Sequence, residues 1–466
     1  MSRWWPMMFM LAFACAQAAT AAGELAARAG QGDAEALKSL IERARKRDAD
    51  AEYALGLLTL DGRGVQANAE QAFRLVERAA ERGHLDAQNT LGYFHQHATG
   101  TAADPARALH WYRRAAQGGS ARAMVNLGWM HEQGLGVDKD AAEAARWYRQ
   151  AADKGLAAGA MNLASLHESG TGVARDDAAA LALYAKAAAT GSAEASFRHG
   201  RLLERLRRIV EATDSYSVAA RAGHREAQFA AGRLLVAADN PKADAAAGVR
   251  SLEAAAQRDH LEANLLLATL FEEGKSITGD AARAAGFRRE AARLGDADSA
   301  YRYAEFLASQ EPSASRPDPL RWYRQAAEQN HPQAQFALAL ALQKDGGAAG
   351  KREALAWYRK AAEAGHAPSA LQLGIALEAG DGTEAAPTEA IAWYKRAAAA
   401  KDAEALYRLG SLYDRGIGTR ADYRLALEYY AQAATLGHAE AGRVMDTLIA
   451  VPPPIKSATE PFRGLR

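Results

Sequence analysis

An all-α solenoid of helix-turn-helix repeats is the fold class that the sequence predicts, and three observations carry it. The pair Ala-Ala recurs at 79–80, 115–116, 151–152, 187–188, 219–220, 255–256, 291–292, 326–327, 361–362, 397–398 and 433–434, most steps being 36 residues. A Gly with a polar neighbour follows most pairs by three or four residues, as in Gly83-His84, Gly119-Ser120, Gly191-Ser192 and Gly365-His366. Between these marks the apolar residues keep the spacing of a helix rather than of a strand. Self-similarity at a fixed period of this length marks a repeat array, so the several domains that 466 residues would otherwise suggest give way to one architecture. Composition agrees, because only 13 residues are Pro and the apolar half is dominated by Ala, the strongest helix former.

The elements follow in order. Residues 1–22 are expected to be a secretory signal: Arg3, the apolar run Met7 to Ala14, then Ala16-Gln17-Ala18 as a cleavage site after Ala18. That run is too short to span a bilayer, which takes about 20 apolar residues. Cys15, the sole cysteine, lies inside it; a competing reading makes Cys15 a lipidated first residue of an outer-membrane lipoprotein. A capping helix is expected within 23–46, near Asp33 to Lys46, and eleven units over 47–436, beginning at 47, 83, 119, 155, 191, 223, 259, 295, 330, 365 and 401. A half-unit at 437–450 closes the array, as terminal elements of a repeat stack must. Val451-Pro452-Pro453-Pro454 stops any helix, and 451–466 reads as a disordered tail.

Each unit reads as two helices. In the unit from 119, Ala123, Leu127, Gly128 and Met130 form one stripe ending at Gly134, and Ala141, Ala144, Ala145, Tyr148, Ala151 and Ala152 form a second ending at Gly155. Small residues recur at Gly56, Gly92, Gly128, Ala164, Gly200, Gly232, Ala268, Ala304, Ala339, Gly374 and Gly410, where helices are expected to approach closely. Aromatic doublets (Trp111-Tyr112, Trp147-Tyr148, Trp322-Tyr323, Trp357-Tyr358, Trp393-Tyr394, Tyr429-Tyr430) supply the bulk expected to fill between repeats.

The run Met124-Val125-Asn126-Leu127-Gly128, then Gly134-Leu135-Gly136-Val137, then Trp147-Tyr148-Arg149-Gln150-Ala151-Ala152 resembles the Sel-one-like repeat family, relatives of tetratricopeptide repeats. The resemblance covers about 400 residues and is weakest in the units from 191, 223, 259 and 295, which lack the G-x-G loop or the Trp-Tyr pair. It implies a right-handed superhelical solenoid and an adaptor role. Exported bacterial members include envelope scaffolds, exopolysaccharide-secretion components and modulators of signalling receptors.

Little in the chain points to catalysis. The G-x-G pairs (Gly62/Gly64, Gly134/Gly136, Gly170/Gly172, Gly416/Gly418) follow helices rather than strands and have no third Gly, so they read as loop closures, not a nucleotide fingerprint. No G-x-S-x-G occurs, and none of the cysteine survives cleavage after Ala18, so neither an enzyme nor a cofactor is expected. With 57 basic against 56 acidic residues, the electrostatic footprint of a nucleic-acid binder is missing too. His84, His224, His260, His331, His366 and His438 share one place after the inter-repeat turn and read as turn or capping residues. His95, His131 and His167 fall twelve residues into three consecutive units and could stack as a ladder for a metal or a proton; the plainer reading is that His replaces an apolar or aromatic packing residue there.

Binding remains. If the first helix of each unit lines a concave face, residues ten into the units (Leu57, Tyr93, Trp129, Ser165, Arg201, Arg233) and six into them (Tyr53, Asn89, Val125, Met161, Phe197, Phe229) border a groove, aromatic in its N-terminal third and basic in the middle, where Arg198, Arg201, Arg205, Arg207 and Arg208 cluster. Many of the rings six in are expected to pack between repeats. Tyr93 and Trp129 are the expected apolar anchors, with Arg198, Arg201 and Arg233 as charged partners, residue types that dominate interface energies. The function expected is a periplasmic or secreted scaffold that binds another envelope protein through this face. The alternative is direct binding of exopolysaccharide or peptidoglycan in an export or assembly machine.

Export is directly testable. Intact-mass measurement of the protein purified from its native cell is expected to give a chain starting after Ala18; a diacylglycerol adduct starting at Cys15 would replace the free exported form by an anchored one.

Overall fold

A computed structural model describes residues 20–311 and 317–450. Among these residues the chain is all helical, with two leading helices (Ala21–Ala29 and Ala34–Arg45), eleven helix pairs, and one trailing helix (Ala439–Ala450). It divides into two compact units between Ser251 and Leu252. In the first unit the pairs run from Ala49–Asp61 with Ala69–Glu81, through Leu85–His97 with Pro105–Gln117, Ala121–Gln133 with Ala141–Asp153 and Ala157–Ser169 with Asp177–Ala188, to Ala193–Arg205 with Ile209–Arg221; Arg225–Val236 then precedes the boundary helix Ala245–Ala256. In the second they run from Leu261–Glu273 with Ala281–Arg293 to Ala403–Arg415 with Tyr423–Thr435. Apart from the boundary helix, each helix packs on its neighbours in sequence within its unit.

The leading segment differs from the single helix expected. Thr20 accepts a hydrogen bond from Gly23 N–H at 3.1 Å and so caps a helix that starts inside the expected signal segment. Its Ala22, Ala26 and Ala29 are buried against Leu40, Leu55 and Leu58. Ala-rich spacing too short to show a helical period concealed it. Cys15 and Ala18 lie outside the described residues, as do 451–466.

The contact that shapes most pairs joins the small residue of the first helix to the Tyr of the second; in the first pair Gly56 meets Val76 instead. A Cβ added at Gly128 would stand 2.7 Å from Tyr148 Cε1, and Gly92, Gly200, Gly374 and Gly410 meet Tyr112, Tyr216, Tyr394 and Tyr430 in the same way. Tyr112, Tyr148, Tyr184, Tyr216, Tyr358 and Tyr394 are among the largest fully buried side chains. Each hydroxyl finds an acceptor at the end of the first helix: Tyr112 donates to Gln96 (2.8 Å), Tyr148 to Glu132 (2.7 Å), Tyr184 to Glu168 (3.1 Å), Tyr216 to Glu204 (2.9 Å), Tyr358 to Gln343 (2.9 Å) and Tyr394 to Glu378 (2.6 Å). A buried hydroxyl left unpaired costs about 1–3 kcal/mol, which is why the acceptor recurs with the ring. In the pair from Leu261 the Tyr is Arg288, and its guanidinium makes a two-pronged contact with Glu272 at 2.9 Å on each side. The chemistry changes while the tie stays.

The Trp of each doublet is a different case. Trp357 and Trp393 are 8% exposed, whereas Trp111, Trp147 and Trp322 are only half buried. Expectation from sequence treated the two rings alike; only the second of each doublet points at the small residue of its own unit.

The G-x-G loops close as expected. Gly134 takes the left-handed conformation (φ 75°) at the end of its helix. Gly136 (φ 67°) lets the loop press on the preceding unit, where an added Cβ would stand 2.6 Å from the Pro105 carbonyl oxygen. In the pair Ala193–Arg205 with Ile209–Arg221 the loop is lost, and residues 206–208 alone join the helices.

Three substitutions separate these contributions. Tyr148→Ala is expected to lower unfolding free energy by about 3–5 kcal/mol through loss of the ring, Gly128→Ala by about 1–3 kcal/mol through overpacking, and Tyr148→Phe by about 1 kcal/mol through loss of one hydrogen bond. Urea melts followed by circular dichroism check the order; equal effects of Tyr148→Ala and Tyr148→Phe would show that the hydroxyl, not the ring, sets the contact.

Candidate partner-binding face

The first helices of the opening unit meet through small and polar side chains, and that contact places the expected site. Tyr53 Oη lies 3.1 Å from Thr90 Oγ1 of the next first helix, and Asn126 Nδ2 donates to Asn89 Oδ1 at 2.8 Å. Asn89 is 1% exposed and Thr90 2% exposed, so these are interior hydrogen bonds. Tyr53, Asn89, Val125 and Met161, six residues into their units, are all buried and border no groove. Phe197 and Phe229 at the same offset are half buried. The reason is geometric: a residue at that offset points to the next unit.

Four residues further on, the side chains emerge. Tyr93 and Trp129 are half buried at the same register of consecutive first helices, both against the core around Leu127 and Tyr148. The Tyr93 ring rests 4.2 Å from the His97 ring, and burial pushes the Tyr93 phenol above its usual range. Ser165, next in the row, is exposed.

The expected basic stretch is present and its charges are engaged, apart from Arg207, which is exposed and forms no ion pair among the described residues. Arg198 Nε donates to Glu194 Oε1 at 2.6 Å. Arg233 donates to Glu204 Oε1 at 2.5 Å, across to the preceding unit. Arg201 lies 3.8 Å from Glu168, which also accepts from Arg205 Nη1 at 3.0 Å. Arg208 pairs with Glu211. Sequence alone could not pair these residues, because Arg201 and Arg205 reach a carboxylate one full unit away. The arrangement brings Arg201 and Arg205 together at Glu168 and keeps Arg233 apart at Glu204. Of the three expected charged partners, Arg201 has the longest ion pair and the most exposed side chain, at 59%.

The histidines separate into two kinds. His95 and His131 are 2% and 8% exposed, with a buried Nδ1 that lacks a hydrogen-bond partner. Their carbonyls accept from Asp104 and Asp140 N–H at 2.8 Å, and Phe271 and Tyr413 do the same for Asp280 and Asp422 in later units. His95, His131 and His167 thus occupy the packing place that Phe and Tyr fill elsewhere. Among the described residues no group of three or more His, Cys, Asp or Glu could hold a metal ion.

The turn histidines cap helices, except His366, whose Nδ1 lies 2.8 Å from Ser369 Oγ. Ala227 N–H donates to His224 Nδ1 at 3.2 Å, so the proton sits on Nε2, which donates to Glu194 of the preceding unit at 3.0 Å. The ring also stacks on Phe197 at 4.5 Å. His438 repeats this with Ala441, Glu404 and Tyr407. Sequence located the cap but not the tether to the unit before it.

A family model of the Sel1 repeat matches residues 49–84, 85–120, 121–156, 157–192, 261–296, 320–331, 332–366, 367–402 and 403–438. Among solved structures the chain is similar to c5321, a protective antigen present in uropathogenic Escherichia coli strains that displays an SLR fold; the likeness is 27% identity over 90% of this chain and 91% of that one, with a TM-score of 0.55. It is also similar to a Sel1 repeat protein from Oxalobacter formigenes, at 23% identity over 58% of this chain and 99% of that one, with a TM-score of 0.40. No curated protein sequence matches. No helix among the described residues is long and apolar enough to cross a membrane.

The His224–Glu194–Arg198 arrangement has a pH signature. The hydrogen bond from His224, with that from Arg198, holds the Glu194 carboxyl down at about 2, below its ordinary 4.5. A depressed carboxylate stabilises the fold above its unfolded value, and this contribution is lost as pH falls from about 4.5 towards 2. The melting-temperature gap between the native chain and Glu194→Gln is therefore expected to be widest near pH 6 and to close below pH 4.5. A gap constant with pH would remove Glu194 from the tether.

Proposed function

The chain belongs to the Sel1 repeat family, and from that premise we propose that it is an exported scaffold binding another envelope protein through its first-helix face. Sel1 repeat proteins act in general as protein–protein interaction scaffolds, and the repeat is a non-catalytic fold. The observation that carries the reading is the pair Tyr93 and Trp129, half-buried rings at one register on consecutive helices, over a fixed Asn89–Asn126 contact. Rings held in this way lose little freedom when a partner covers them, which makes them suited to anchor an interface. Arg201, with its long ion pair, is the cation best placed to turn to a partner carboxylate. A protective antigen among the similar structures supports the exported setting.

The test contrasts binding with folding. In pull-downs from solubilised envelope, Trp129→Ala with Arg201→Ala is expected to weaken capture of the partner by about 2 kcal/mol or more. The same variant should keep its melting temperature far better than Tyr148→Ala, because no enclosed cavity forms. A double variant that captures its partner unchanged, or that unfolds as Tyr148→Ala does, overturns this face.

A further inference from the structure

The N-terminal end of the first unit carries a cleft that the first-helix face does not use. It measures about 750 Å³ and is bordered by Arg45, Arg47, Arg78 and Arg82 above an aliphatic floor that includes Leu55 and Leu75. The basic run Arg43-Ala44-Arg45-Lys46-Arg47 supplies its first edge. Arg43 is engaged with Asp48 at 2.6 Å, whereas Arg45 and Arg47 are exposed and form no ion pair among the described residues.

The second edge is held in place by Glu52. This carboxylate is 1% exposed, with Arg78 Nε 3.1 Å from Oε1 and Arg82 Nη1 3.1 Å from Oε2. Arg82 Nη1 also donates to the Arg78 carbonyl at 2.8 Å. At the position of Glu52, other units carry Gln88, Gln228 and Gln335, whose amides donate to a carbonyl of the preceding second helix. Glu52 cannot make that bond. It instead fixes two guanidiniums at the cleft, although a buried carboxylate costs several kcal/mol of desolvation. Four guanidiniums against one carboxylate leave the lining with an excess of three positive charges.

We propose that this cleft docks an acidic peptide segment of a protein partner, with its carboxylates on the Arg45 and Arg47 edge and an apolar side chain on the aliphatic floor. Guanidiniums bind carboxylates in two-pronged fashion, which sets the charge. The floor asks for a hydrocarbon group beside the charge, which a bare inorganic anion lacks. Glu52 at depth keeps the carboxylates at the rim, so the segment is one that alternates acidic and apolar residues.

Fluorescence anisotropy of the full exported chain with a fluorescein-labelled peptide of alternating glutamate and leucine tests this, with a lysine–leucine peptide as control. Saturable binding that weakens with salt is expected, together with a loss of about tenfold for Arg45→Ser with Arg47→Ser, two exposed sites whose removal leaves the helicity intact. The Trp129→Ala, Arg201→Ala variant should bind the glutamate–leucine peptide as the native chain does, so the cleft and the first-helix face stand or fall separately. The proposal is overturned by an unchanged affinity in the Arg45/Arg47 variant, by equal binding of the lysine peptide, or by the absence of saturable binding. It is overturned equally if inorganic phosphate or phosphatidylglycerol vesicles bind at this edge and the peptide does not.

Discussion

Close approach of a small residue to a tyrosine ring is the constraint on which most of the pairs depend. With Gly at 128 the backbone of the first helix comes near enough to Tyr148 that even a methyl group would stand 2.7 Å from the ring. The ring then fills the space between the two helices, and its hydroxyl reaches the end of the first helix at Glu132. One contact thus sets both the separation of the helices and their relative register. In the pair from Leu261 Arg288 stands in place of Tyr and reaches Glu272 at the end of the first helix, whereas Val76 opposite Gly56 keeps the packing without a donor. Burial of a ring that size, with its polar end satisfied, outweighs any single surface ion pair in the stack.

Between units, histidine does three jobs with one ring. Its Nδ1 caps the helix that follows, its Nε2–H reaches an acid in the unit before, and its face lies on an aromatic side chain of that unit. Ser120 and Ser192 cap the same helix position elsewhere by accepting from Ala123 and Ala195, without the reach to the preceding unit. A capping residue is therefore exchangeable for the local helix but not for the coupling between neighbours. That difference bears on partner binding, because a surface assembled from consecutive first helices keeps its spacing only while neighbouring units stay coupled.

Charge along the first unit follows the same logic of reach. Glu168 gathers Arg201 and Arg205 from the next unit, and Glu204 takes Arg233, so the arginine-rich stretch of the middle is largely balanced from within. At the N-terminal end the balance fails, because Glu52 answers two guanidiniums and Arg45 and Arg47 answer none. Interface energetics depend on such residual charge and on half-buried rings more than on a count of basic residues.

Period, helix pairing, small-residue positions and capping turns were all legible in the sequence, because each rests on local chemistry within one repeat: helical spacing, Gly at turns, polar caps. Tyr93 and Trp129 could be placed on a shared face for the same reason, since a 36-residue step preserves register. The short helix from Ala21 is not legible in the sequence, because nine Ala-rich residues carry no clear period and owe their place to packing against Leu40 and Leu58. Tertiary structure alone decided which ring of each doublet is core, which residues six into the units are buried, and which arginines keep free charge. The first outcome depends on contacts within one unit, as Tyr148 with Glu132 16 residues away, and the other two on contacts with a neighbouring unit 29 to 37 residues away; a side chain's partner at such distances is set by the stacking of helices rather than by any spacing visible along the sequence.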